Sequence, residues 1–146
     1  DRTALAPASG LQRGGYVLWE AKAPPDAILI GTGSEVHIAL EAGRLLQKKG
    51  IGARVVSLPS WELFDAQPSE YRNQVLPSYI HARVSIEAAS PVGWERYVGL
   101  EGTAIGVPHF GASAPEKVVY GQFGLTAQHV VDEASKLLHE GRHESF

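Results

Sequence analysis

"DAILIGTGSEVHIALEAGRLLQKKG", residues 26–50, passes from a continuous apolar run through a glycine turn into a helical pattern, and that order decides the fold. Ala27 to Gly31 lacks the alternation of a half-solvated strand, and a run apolar at every position fits a strand covered on both faces. Beyond the turn, Val36, Ala39, Leu40, Ala42, Leu45 and Leu46 recur with a period near 3.6 residues, which predicts a helix ending at Gly50. Ser34 is read as its N-cap and Glu35 as a charge suited to its positive end. Lys48 and Lys49 suit the negative end.

Outward from this unit the same alternation continues. Tyr16 to Trp19 reads as a first strand that Pro24 and Pro25 terminate. "ARVVSL" is a third strand closed by Pro59. Ser60 caps a short helical turn, and Ser69 caps a second helix that Pro77 ends. "ARVSIEA" gives strand four, "VGWERYVG" a short helix and "TAIGV" strand five. "APEKVVYGQFG" reads as a helix stopped at Gly124. The last helix, "TAQHVVDEASKLLHEG", has Val130, Val131, Ala134, Leu137 and Leu138 on one face, Thr126 as cap and Gly141 as stop.

The pattern predicts an α/β fold: a three-layer α/β/α domain around a five-stranded mixed, mostly parallel sheet. About seven residues join the first two strands, too few for a parallel crossover, so if those two pair they are antiparallel. Residues 1–13 read as an arm from a preceding domain, 14–140 as the domain, and 141–146 as a frayed tail.

The bulk composition narrows the function classes. The 146 residues carry a formal charge of −3 and are 44% hydrophobic, with 16 Gly and 9 Pro spread between patterned segments. That is a globular composition long enough for a genuine core. It offers no basic field for nucleic acid, and no apolar run approaches a bilayer span, so neither nucleic acid nor membrane is expected as a partner. Zero cysteines excludes disulfides and thiolate chemistry and agrees with a cytoplasmic setting. The absence of methionine, position 1 included, makes Asp1 read as a boundary within a longer chain.

Side-chain chemistry points to no catalytic, cofactor-binding or metal-binding residue. Gly31, Thr32, Gly33 and Ser34 lie where α/β sheets bind anions at helix N-termini. However, position 36 is Val, which breaks the dinucleotide pattern, and no lysine follows as a phosphate loop requires. Turn and capping chemistry account for these four residues, and an anionic effector or nucleotide is the alternative. His37 and Glu41 are spaced as a solvated i, i+4 pair. His139 and His143 share that spacing across Gly141, while His81, His109 and His129 stand alone. Ser60 and Ser113 sit at helix starts and belong to no nucleophile elbow. Glu62 with Asp65, or Glu87 with Glu95, would form acid/base pairs only in a shared cleft. Trp61, Phe64 and Trp94 read as core or interface anchors.

Several longer segments carry a more specific signal. "RGGYVL", "TGSEV", "RVVSLPSWELFDAQ", "YRNQVLP", "ARVSIEA" and "FGASAPEKVVYGQFGLT" occur in an order that resembles the C-terminal domain of transketolase over about residues 14–138. The resemblance implies a homodimeric parent enzyme that uses thiamine diphosphate with Mg²⁺ or Ca²⁺ to move a two-carbon ketol unit between sugar phosphates in the pentose phosphate pathway. It also implies that this domain is a scaffold and dimer-contact module beside the remaining transketolase domains. The family's G-D-G metal motif is absent, and Arg2 does not match its phosphate-binding arginine, so no catalytic residue transfers. Ala89 and Pro91 depart from the family's more flexible stretch after "EA". Isolated, the chain is expected to be inactive.

Overall fold

Ile28, Leu29 and Ile30 have no solvent exposure, as an all-apolar strand requires, and they form the middle of β2 (Ala27–Gly31). The computed structural model describes residues 8–107 and 124–144, with side chains over 10–107 and 124–141. β2 pairs in parallel with β3 (Ala53–Ser57) on one side and β4 (Ala82–Ile86) on the other, and β4 pairs in parallel with β5 (Thr103–Ile105). β1 (Tyr16–Glu20) lies antiparallel to β3, giving the order β1-β3-β2-β4-β5. The first strand is thus antiparallel, but its partner is β3 rather than its neighbour in sequence. β3 has its other side on β2, so β1 completes that edge with a register shift between Val17 and Trp19.

The sheet separates two apolar clusters. On one face Leu29, Val55, Val84 and Ile86 meet Ile38, Ala42 and Leu46 of α1 (Val36–Lys48) and Val130, Val131 and Ala134 of α5 (Ala127–Glu144). On the other, Ile28, Ile30 and Val56 meet residues of α2 (Trp61–Asp65), α3 (Ser69–Val75) and α4 (Glu95–Val98). Each fully buried branched or aromatic side chain contributes about 1.5–3 kcal/mol by leaving water.

Local signals place most helix ends. The Ser60 hydroxyl accepts the Leu63 amide at 3.2 Å, and the Thr126 hydroxyl accepts the His129 amide at 3.1 Å. Three expectations need correction. Pro68, not Ser69, occupies the N-cap of α3, since its extended ψ of 147° leads into the helix. Ser34 does not cap α1, because residues 33–35 form a 3-10 turn and Glu35 becomes the N-cap. α5 runs through Gly141, which stays outside the left-handed region; glycine permits a stop but does not impose one. Residues 8–13 form a 3-10 turn. The expected helix at 114–124, Ser113 and His109 lie outside the described residues, but for Gly124 itself.

Candidate functional site

From β2 the chain moves to β3 on one side, then crosses to β4 on the other, so the strand order reverses at the carboxyl ends of β2 and β4. Open α/β sheets commonly bind ligands in that crevice. Gly31, Thr32, Gly33 and Ser34 form one wall. A Cβ on Gly31 would stand 2.7 Å from the Cα of Val36, so only glycine lets the strand end this close to the helix start. Gly33 holds φ at 58°, which turns the chain. The Glu35 amide donates to the Thr32 carbonyl at 3.2 Å, and the Gly31 carbonyl accepts from Leu58 at 2.9 Å. His37 Nδ1 contacts the Ser34 carbonyl.

The crevice is bridged by Glu35. Its side chain is only 5% exposed, and its Oε1 accepts the amide of Ala88 at 2.8 Å, tying the turn after β2 to the loop after β4. The negative charge still sits at the positive end of α1, as its position suggested. Its partner is 53 residues away, out of reach of any local pattern. Beyond Ala88, the Ala89 carbonyl accepts from Val107 at 2.8 Å, and a Cβ on Gly106 would meet that carbonyl and Pro91. The two family departures, Ala89 and Pro91, therefore pack against the strand-five loop.

The carboxylates are drawn to separate partners. Glu87 accepts the indole N–H of Trp94 at 2.9 Å. Asp65 accepts the Tyr97 hydroxyl at 2.9 Å and pairs with Arg96 at 3.3 Å. Neither Glu62 with Asp65 nor Glu87 with Glu95 is drawn together as an acid/base pair by these bonds. Burial, with the hydrogen bond and charge of Asp65 next in weight, pushes the Tyr97 hydroxyl well above the usual tyrosine range. Trp61, Trp94 and Tyr97 stack at tilted or edge angles with centroids 5.0–5.7 Å apart. Phe64 and Trp94 are core residues, at 2% and 1% exposure.

Among the described residues, His81 and His129 have separate partners. His81 faces Glu101 at 3.5 Å, and His129 holds the Gly124 carbonyl at 2.8 Å and lies 3.9 Å from Glu133. That i, i+4 contact was not singled out from the sequence, although its spacing made it visible. Among the described residues, no group of three His, Cys, Asp or Glu side chains could hold a metal ion. Nor, among them, is any helix long and apolar enough to cross a membrane.

The functional groups sequence reasoning missed are arginines. Arg83 gives hydrogen bonds to four backbone carbonyls, those of Leu76, Pro77, Ile80 and Tyr97, at 2.6–3.3 Å. Burial lowers its pKa from the ordinary arginine value. Arg54 holds Glu20 at 2.8 Å and the carbonyls of Gln74 and Val75. The repeated "ARV" at 53–55 and 82–84 was the available signal.

Comparison with known proteins gives a consistent result. The family described as "Transketolase-like TK C-terminal domain" matches residues 14–126. A chloroplastic transketolase of Craterostigma plantagineum is 53% identical over 131 residues, covering 88% of this chain and 25% of that protein. A transketolase structure from Leishmania mexicana superposes with a TM-score of 0.83 at 37% identity, covering 92% of this chain and 19% of that one. A third structure, a split-gene transketolase described as an inactive β4 tetramer, has a TM-score of 0.67 at 26% identity over 88% of this chain and 43% of that one. The chain thus spans a quarter or less of the first two of these relatives.

Proposed function

The chain belongs to the transketolase-like C-terminal domain family, and from that premise we propose that it is the scaffold and contact domain of a ketol-transferring enzyme whose chemistry lies in other domains. The parent reaction, two-carbon transfer between sugar phosphates with thiamine diphosphate and Mg²⁺ or Ca²⁺, is the activity we assign to the longer enzyme.

One observation supports the scaffold role above the others: the crevice at the strand reversal holds the Glu35 carboxylate, bonded to the Ala88 amide. A diphosphate needs cations or unpaired amides there, and the Ala88 amide is already taken by Glu35. The described residues at this strand reversal thus offer a diphosphate no free Ala88 amide, and we place thiamine diphosphate with its metal in the remaining domains. Tyr79 and Leu100, 74% and 101% exposed, line one cavity at the amino ends of the strands. They suit contact with those domains or with the second subunit of a homodimer.

A cytoplasmic location is the reading for this chain, while several plant relatives are named chloroplastic. The split-gene neighbour's description as inactive favours the same division of labour. The purified chain, supplied with thiamine diphosphate, Mg²⁺ and donor and acceptor sugar phosphates, is expected to transfer no ketol groups and to give no calorimetric binding of the cofactor. Saturable cofactor binding or turnover would overturn the proposal. Titration with phosphate, followed at the Gly31–Ser34 amides, tests the effector alternative.

A further inference from the structure

Between α2, α3 and α4 lies an open cavity of about 710 Å³, distinct from the crevice at the strand ends. Its size falls in the range of small-ligand sites, about 300–1,000 Å³. Three arginines line it: Arg72 from α3, Arg83 from β4 and Arg96 from α4. Asn73 stands beside Arg72, and Phe64 and Tyr97 supply apolar surface.

The charges in this cavity are incompletely matched. Asp65 is engaged by Arg96 and by the Tyr97 hydroxyl. Arg83 makes all its hydrogen bonds to neutral carbonyls, and Arg72 donates only its Nε, to the Gln67 carbonyl at 3.0 Å. Among the described residues, Glu70, exposed at the start of α3, is the one other carboxylate lining the cavity, so two guanidinium charges face it there.

Donor arithmetic then separates the arginines. A guanidinium has five N–H donors. Arg83 commits four and acts chiefly as fixed charge. Arg72 commits one and keeps its terminal nitrogens for a ligand. The Asn73 Oδ1 accepts the Ser78 amide at 3.3 Å, which leaves its NH₂ as a donor next to Arg72.

We propose that this cavity binds the phosphate group of a small phosphate ester, with Arg72 and Asn73 as contact residues and Arg83 supplying charge. A phosphate brings about −1.5 to −2 charge and three acceptor oxygens, which suits a forked donor beside an amide. The site goes beyond the scaffold role, since phosphate binding here requires no catalysis.

The test uses the 146-residue chain, with arginine Nε–H and backbone resonances followed by NMR at constant ionic strength. Inorganic phosphate and methyl phosphate should give saturable shifts at Arg72 and Asn73, and acetate none. Arg72→Ala should weaken phosphate binding by about tenfold or more, the equivalent of one charge-assisted hydrogen bond. Arg72→Lys should recover part of it. Asn73→Ala, which leaves the Gln67 contact intact, should also weaken binding and guards against misfolding of the arginine variant. Absence of saturable shifts, or an unchanged affinity in Arg72→Ala, overturns the site. An equal response to acetate also overturns it and points to a protein carboxylate as the occupant.

Discussion

Arg54 and Arg83 flank Ile28 in one row of the sheet, on β3 and β4, and between them take four consecutive backbone carbonyls, residues 74 to 77. These carbonyls close α3 and the turn after it, where a helix leaves its last acceptors unpaired. Two strands on either side of the central one thus hold a helix end on the sheet. Their cationic groups also lie at its negative pole.

Arg83→Lys should lower stability by about 2 kcal/mol, because an ammonium cannot reproduce the planar fork that reaches four carbonyls at once. Urea denaturation monitored by circular dichroism gives the number. A loss no larger than that of an exposed arginine such as Arg44 would show that the carbonyl contacts contribute little.

Glu35→Ala should cost about 1–3 kcal/mol, since it strands the Ala88 amide and opens the junction between the two central strands. Glu35→Gln keeps an acceptor oxygen and should cost less. Hydrogen exchange at Ala88 should accelerate sharply in the alanine variant and only modestly in the glutamine one. Equal protection in both would remove the Glu35 bridge from the account.

Tyr97 makes stability depend on alkaline pH. Burial, reinforced by Asp65, favours the neutral hydroxyl, so the folded pKa lies above the unfolded value of 10.0. The unfolded chain releases its proton first as pH passes about 10, and stability falls from there upward. Below that pH the contribution is fully present. Tyr97→Phe should cost about 1 kcal/mol at pH 8 through the lost hydrogen bond to Asp65. The gap between wild type and variant should narrow above pH 10. A constant gap from pH 8 to 11 would contradict the assigned shift.

Ser85, fully buried on β4, has a hydroxyl with no hydrogen-bond partner among the described residues. Ser85→Ala removes the desolvation cost of that group and should leave stability unchanged or raise it by up to about 1 kcal/mol. Thermal melting decides the sign, and a marked drop would mean that the hydroxyl has a partner after all.

Local chemistry carried much of the fold. The run Ala27–Gly31 was legible as a doubly covered strand because burial on both faces leaves no polar position. Ser60 and Thr126 were legible as caps because their partners lie three residues ahead. The family segments were equally visible, being contiguous. The candidate site was legible only in outline: the glycine turn could be placed at a strand end, but not the carboxylate that bridges beside it.

By itself, then, the sequence determined the α/β class, most of the elements and the family, each a matter of residues within a few positions of one another. Only the tertiary structure decided that β1 joins β3, that Glu35 turns inward to Ala88, and that Arg54 and Arg83 converge on one helix end. The physical reason is shared. A charged side chain looks like surface in any local pattern, and whether it is solvated or bonded depends on backbone groups 3 to 53 residues away, most of them brought near by the packing of the whole chain.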